Sequence, residues 1–423
     1  MHRRVTRTVS VLIGLLMFAG AALGVSPQPA SALLADARLG VIVQLSPGQT
    51  LAALNARHGT VASATAAGKA GLVLITSNDA RTDEALAAEL ATDPAVVVAE
   101  SNLPLRSPEV GAASTIYHWS DGSPTAPGAQ WAASTLRLGV AQQTTTGGGV
   151  TVAVLDTGLS APTLAPWTVA GTDFVDGDAT PNDSANGLDD NSDGVVDEAA
   201  GHGTFVAGIV HTTAPSASLM PVRVLDSDGD GTSFNATQAM YWAADHGATV
   251  LNMSLGARSS VHALRQAVLD LAARNIVVVG AAGNESRNGT NFPAAAKCAV
   301  GVTSTGTTDR LSSFANWGDW IDVAAPGEAI VSLMPYAPSG RATWGGTSMS
   351  TPFIAGEVAL MRALRPSLTV QRVLDLVRTS TMKVVGPPNN FGTAGRADVA
   401  LAVTAVNETS GPSGNDCTKA LGG

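Results

Sequence analysis

The run Val150-Thr151-Val152-Ala153-Val154-Leu155 is apolar and β-branched without alternation, the pattern of a strand buried on both faces, and it ends at Asp156-Thr157-Gly158. Strands of that kind belong to parallel sheets, whose neighbours are joined by crossover helices. The following sequence has the required rhythm: a helix from His202, a strand over 218–224, a helix over 235–246, a strand over 249–253, a helix over 261–274, strands over 276–280 and 299–303, and a closing helix over 370–378. The expected fold class is therefore α/β, a mostly parallel doubly wound sheet with helices on both faces, spanning residues 130–406. In such sheets ligands gather beyond the carboxyl ends of the strands, where Asp156 falls.

Reactive residue types recur at other element ends. Gly345-Gly346-Thr347-Ser348-Met349-Ser350-Thr351-Pro352 runs into the apolar segment 353–364, and Pro352, tolerated in a first turn, marks a helix start at about Ser348. The Ser348 hydroxyl then lies at the positive end of a helix dipole, which favours a developing oxyanion. By itself such a serine is a helix cap. His202 stands in Gly201-His202-Gly203-Thr204 at the head of another apolar helix. His2 falls in a leader, while His58, His118, His211, His246 and His262 sit in polar or alanine-rich settings expected at surfaces or turns.

Asp156-Thr157-Gly158, His202-Gly203-Thr204 and Gly346-Thr347-Ser348-Met349, in that order, resemble the active-site blocks of the subtilisin-like serine peptidases. Matching segments at Val224-Leu225-Asp226, Asn252 to Gly256, Ala281 to Asn284 and Ala324 to Gly327 extend the resemblance over about residues 130–405. It implies a three-layer subtilisin-like sandwich and peptide hydrolysis through an acyl-enzyme. Ser348 would be the nucleophile, His202 the general base and Asp156 its orienting partner, with Asn284 and the Ser348 amide stabilising the oxyanion. It also implies facing pocket walls at Ser254-Leu255-Gly256 and Ala281-Ala282-Gly283. Asn291 beside them is expected to make the primary pocket shallower and more polar than usual. Two positions depart from the family pattern: Phe205 replaces a second histidine, and Ser350 replaces an alanine, adding a rival hydroxyl. An alternative reading keeps the cleft but makes the chain a catalytically silent peptide binder. An esterase using the same triad would require another chain order and an apolar lid.

Outside the core, Arg3, Arg4 and Arg7 precede the apolar run 9–25 and the small residues Ala30-Ser31-Ala32, so residues 1–32 read as a secretory signal peptide and the protein as extracellular. Residues 33–106 read as βαββαβ, a small α+β ferredoxin-like arrangement, and resemble the inhibitory propeptides of the same family. Residues 107–129, rich in Pro and Gly, form a linker and processing region, and residues 407–423 a polar tail. The net charge of −10 argues against a nucleic-acid partner, leaving protein or peptide substrates and the chain's own propeptide as partners of an expected monomer. Cys298 and Cys417 either pair in an oxidising compartment or stay separate thiols.

The chemistry requires no cofactor. Residues 186–198 nevertheless place oxygen donors at alternate positions, with Asp189, Asn191, Asp193 and Asp197 at the first, third, fifth and ninth places of a calcium-type loop. The twelfth is Ala200, where an EF-hand requires glutamate, so the segment is either a differently built structural calcium site or a solvated acidic loop. Asp226, Asp228 and Asp230, in a glycine-rich turn, read as structural.

Overall fold

The computed structural model describes residues 38–110, 120, 131–384, 395–408 and 417. The residues read as a signal peptide, most of those read as a linker, His2, His118 and nearly all of the expected tail lie outside the described residues.

Residues 41–101 form a sandwich of one sheet and two helices. Its strands are β1 (Val41–Leu45), β2 (Thr60–Thr65), β3 (Leu72–Ser77) and β4 (Val96–Ser101), with helices α1 (Leu51–His58) and α2 (Asp83–Leu90). The chain order is βαββαβ and the spatial order β2-β3-β1-β4, with every pair antiparallel. Thr50 and Thr82 begin the helices by accepting the backbone N–H of Ala53 and Ala85, which satisfies donors a helix leaves free at its start. Val41, Val43, Ile75, Leu54, Leu86 and Leu90 fill a small core of their own.

A short strand β5 (Pro104–Arg106) leads away from this unit, and α3 (Trp131–Thr135) and α4 (Leu138–Ala141) precede the main sheet. That sheet contains β6 (Thr151–Asp156), β7 (Thr172–Asp173), β8 (Ser218–Arg223), β10 (Val250–Met253), β11 (Val277–Ala281), β12 (Ala299–Thr305), β13 (Val323–Pro326), β16 (Thr381–Met382) and β17 (Arg396–Ala397). Its order is β16-β17-β13-β12-β11-β10-β6-β8-β7, and only the edge pair β16–β17 is antiparallel. The sheet is thus mostly parallel and α/β, and β6, β10 and β11, which lead into the expected site blocks, are adjacent.

The helices that follow are α5 (His202–Thr213), α6 (Ser233–Asp245), α7 (His262–Ala273), α8 (Thr347–Leu364), α9 (Val370–Thr379) and α10 (Val399–Glu408), the last after the final strand. Residues 347–362 of α8 are all buried, so this helix is enclosed on every side rather than along one face. It packs against α5, α10 and the strands β10, β11 and β12. Two smaller pairings were not expected: an antiparallel hairpin of β14 (Ile330–Leu333) with β15 (Arg341–Trp344), and β5 with β9 (Asp230–Thr232). Helix α10 carries through Asn407 and Glu408, the first residues assigned to the polar tail. Cys298 and Cys417 are buried, with their side chains within hydrogen-bond reach of one another. No helix among the described residues is long and apolar enough to cross a membrane.

Candidate functional site

Parallel neighbours deliver their carboxyl ends to one edge of a sheet, and here β6 ends in Asp156, β10 runs into Ser254-Leu255-Gly256, and β11 runs into Ala282-Gly283-Asn284. Helices α5 and α8 begin at the same place, so His202 and Ser348 both lie in first turns.

The Asp156 carboxylate Oδ1 lies 2.6 Å from His202 Nδ1 and accepts the Thr157 N–H at 2.8 Å, with both side chains fully buried. The helix can approach this closely because Gly203 has no side chain: a Cβ there would run into the Gly158 backbone. Asp183 locks the two segments together. It accepts the Thr157 hydroxyl at 3.0 Å, the Gly201 N–H at 2.8 Å, and the Thr204 N–H and hydroxyl at 2.9 and 2.7 Å. Burial pushes the Asp183 carboxyl above its ordinary value against those donors. Nothing in the local sequence marks Asp183, because its partners come from two other segments. The His202 ring meets Trp344 edge-on at 5.3 Å, and Phe205 meets the same indole at 5.7 Å. The departure at Phe205 is thereby accounted for: it is a core aromatic that supports the tryptophan behind the histidine.

Helix α8 starts at Thr347 after Gly346. A Cβ on Gly346 would meet Glu109 and Asn284, so only glycine leaves the approach to Ser348 open. The Thr347 N–H and hydroxyl both donate to Asn284 Oδ1 at 3.0 Å. With its oxygen so engaged, the Asn284 amide must turn its Nδ2 donor into the cleft. Thr347 was not singled out in the sequence as a positioning residue, and this pair of bonds is its evident role. Ser348 Oγ lies 3.3 Å from the Ser254 carbonyl, and the Ser254 hydroxyl donates to the Ser348 carbonyl at 2.9 Å. The Ser350 hydroxyl is committed instead to the Ala325 carbonyl at 3.0 Å.

Beside these groups Asn291 touches both of the segments 254–256 and 281–283. Its Nδ2 donates to the Ala281 carbonyl at 2.8 Å, and its amide lies against the Gly256 α-carbon. The cleft is occupied by the chain's own segment. Strand β5 pairs with β9, Arg106 bridges to Gly256, and Glu109 reaches Ser348. Glu109 and Ser107, assigned from composition to a linker, thus lie at the centre of the site.

The acidic loop behaves differently from a preformed cage. Asp189 accepts the N–H groups of Asp193 and Gly194 at 3.1 and 3.0 Å, Asn191 accepts Asp193 N–H at 3.0 Å, and Asp193 accepts Val195 N–H at 2.9 Å. Asp197 accepts the N–H groups of Asn186 and Gly187 at 2.8 and 2.9 Å. No group of three or more His, Cys, Asp or Glu side chains converges as a metal site among the described residues. The organiser of the loop is Asp228, whose carboxylate accepts the N–H groups of Asp190 and Asp197 at 2.5 and 2.6 Å. Burial first, and the neighbouring Asp193 charge second, push Glu198 up to about 7.

An imidazole held by a buried carboxylate, beside a helix-start serine and an amide donor, is the equipment for acyl transfer. Residues 147–407, more than half of the chain, match the subtilase family of peptidases, and the protein belongs to that family. It is a subtilisin-like serine peptidase. Thermitase of Thermoactinomyces vulgaris is 41% identical over 217 residues, which cover 51% of this chain and 75% of thermitase. Subtilisin BL of Lederbergia lenta is 35% identical over 257 residues, covering 58% of this chain and 88% of that one. Among solved structures, a protease from Pseudoalteromonas arctica PAMC 21717 superposes with a TM-score of 0.59 at 30% identity, covering 64% of this chain and 94% of that chain.

Proposed function

We propose that the protein is a secreted serine endopeptidase, made as a zymogen, that cleaves peptide bonds through an acyl-enzyme on Ser348. The supporting observation is a convergence: one carboxylate, that of Glu109, lies within 2.6 Å of Ser348 Oγ, 3.2 Å of His202 Nε2 and 3.0 Å of Asn284 Nδ2. A reacting carbonyl at that point would be in reach of a nucleophile, a base and an oxyanion donor together.

In this reading Ser348 attacks the carbonyl while His202 takes its proton and later returns it to the leaving amine. Asp156 holds the imidazole with Nδ1 protonated, so that Nε2 faces the serine. Asn284 Nδ2 and the Ser348 amide receive the negative charge of the tetrahedral intermediate. Residues 254–256 and 281–283 bind the substrate backbone, and Asn291 narrows the primary pocket. All reacting groups come from the chain, so no cofactor enters the chemistry. Residues 33–106 act as inhibitor and folding aid, removed within 107–129 after the leader at 1–32, to leave a monomeric enzyme.

Labelling by a fluorophosphonate and digestion of casein test this function. Ser348→Ala is expected to abolish labelling and lower kcat/KM by at least about 10⁴-fold, and Ser350→Ala to retain both. Full labelling of Ser348→Ala would refute the assignment. A peptide-library profile poor in large aromatic residues at the cleavage position is expected from Asn291. Structural calcium at Asp189, Asn191, Asp193 and Asp197 is a separate proposal, since their oxygens would have to give up backbone amides. Thermal unfolding with calcium against a chelator decides it, a higher midpoint with calcium supporting the site and identical curves dismissing it.

A further inference from the structure

Glu109 is the group at this site that a peptidase mechanism does not use. The chain approaching it is bound as a substrate strand would be: Arg106 and Gly256 exchange both backbone hydrogen bonds at 3.1 and 2.9 Å, and Ser107 N–H donates to the Gly229 carbonyl at 2.9 Å. Arg106 also pairs through its guanidinium with Asp230 at 2.5 and 3.2 Å. The chain then folds back, with the Val110 N–H donating to the Ser107 carbonyl at 3.1 Å around Pro108, a residue suited to the first corner of such a turn.

That turn directs the Glu109 side chain onto the reacting groups. Its Oε2 accepts from Ser348 Oγ at 2.6 Å and from Ser107 Oγ at 2.7 Å, and lies 3.2 Å from His202 Nε2. Its Oε1 accepts from Asn284 Nδ2 at 3.0 Å. Glu109 is only 5% exposed, and a carboxylate so desolvated persists only when paired and hydrogen-bonded, as both of its oxygens are.

We propose that Glu109 is an intramolecular plug: in the unprocessed chain its side-chain carboxylate occupies the oxyanion cradle and keeps the enzyme silent until its segment leaves. The inference rests on the peptidase reading above. A cradle built to receive negative charge holds a carboxylate well, and Ser348 does not attack one under these conditions. The plug also disables the base. Burial opposes charge on His202, but Asp156 on one ring nitrogen and Glu109 on the other push it up to about 10, so both nitrogens carry protons and neither can take one from Ser348. Burial likewise pushes the Glu109 carboxyl up, yet His202, Ser348 and Ser107 together hold it below its ordinary value.

The test compares the full chain with Glu109→Gln and Glu109→Ala. The initial rate of fluorophosphonate labelling of the unprocessed band is expected to rise by about tenfold or more in both variants, since a charge-assisted bond is replaced by a weaker one or none. Unfolding midpoints of the same variants in a Ser348→Ala background check that they fold. A peptide covering residues 105–110, added to processed wild-type enzyme, gives a measurement independent of those variants. It is expected to inhibit competitively, and about tenfold more weakly with Gln in place of Glu. Equal labelling rates for wild type and variants, or equal inhibition by the two peptides should the variants fail to fold, would overturn the plug while leaving the peptidase reading intact. Processed wild-type enzyme that neither labels nor digests casein would instead overturn the peptidase reading.

Discussion

Asn284 shows how much of a residue's role depends on what holds it. Its Oδ1 accepts both Thr347 donors at 3.0 Å, which leaves Nδ2 committed to the cleft. In the proposed mechanism that donor receives the developing charge, so Asn284→Ala is expected to lower kcat by roughly 10²–10³-fold with little change in KM. A rise in KM at unchanged kcat would move the residue from transition-state stabilisation to substrate binding. Asp156, His202, Asn284 and Ser348 were each singled out in the sequence by the resemblance of their short motifs to the subtilisin-like blocks. Asp183, Thr347 and Glu109 were not. Asp183 joins residues 26 positions before it and up to 21 after it, and Glu109 reaches Ser348 across 239 positions. Such contacts leave no local pattern.

Helix α8 carries Ser348 at one end and, in its middle, a group that works against its burial. Glu357 is fully buried, and neither carboxylate oxygen has a hydrogen-bond partner among the described residues. Burial first, with the Asp398 charge adding to it, pushes its carboxyl up to about 8. A carboxyl raised on folding favours the folded state while protonated. Its contribution is complete below the ordinary carboxyl value near 4.5 and is lost as pH rises toward 8, at about 1.4 kcal/mol per pH unit. Thermal unfolding between pH 5 and about 8 in a Ser348→Ala background is expected to show a midpoint that falls with pH, and Glu357→Gln to flatten that fall. Parallel curves for the two proteins would count against this account. The helix itself was legible from its proline-marked start and apolar run. The hairpin β14–β15 was not, because strands of four residues between turns carry too little periodicity to distinguish from loop.

The N-terminal unit contributes side chains that cap helices packed on the main sheet. Helix α7 begins after Val261, which provides no side-chain cap, and the Glu100 carboxylate from β4 accepts the N–H groups of His262 and Ala263 at 2.8 and 2.7 Å. Asn102 does the same for α6, accepting the Ser233 hydroxyl and the Phe234 N–H at 2.9 Å. Lys69 reaches Asp270 at 2.5 Å on the outer face of α7. Glu100→Ala removes an N-terminal cap, so the full chain in a Ser348→Ala background is expected to lose about 1 kcal/mol in urea unfolding. An unchanged midpoint would show that solvent satisfies those amides equally well. At this scale the sequence alone determined the α/β class and the order of the core elements, and the resemblance of its short motifs to a known family singled out the candidate site residues. Fold class and element order follow from hydrophobic periodicity, a local property. Tertiary structure decided that residues 104–110 lie in the cleft, that Asp228 accepts backbone amides of the acidic loop, and that Glu109 meets Ser348. Each of these depends on bringing together segments that carry no mark of one another, which only the packing of the whole chain supplies.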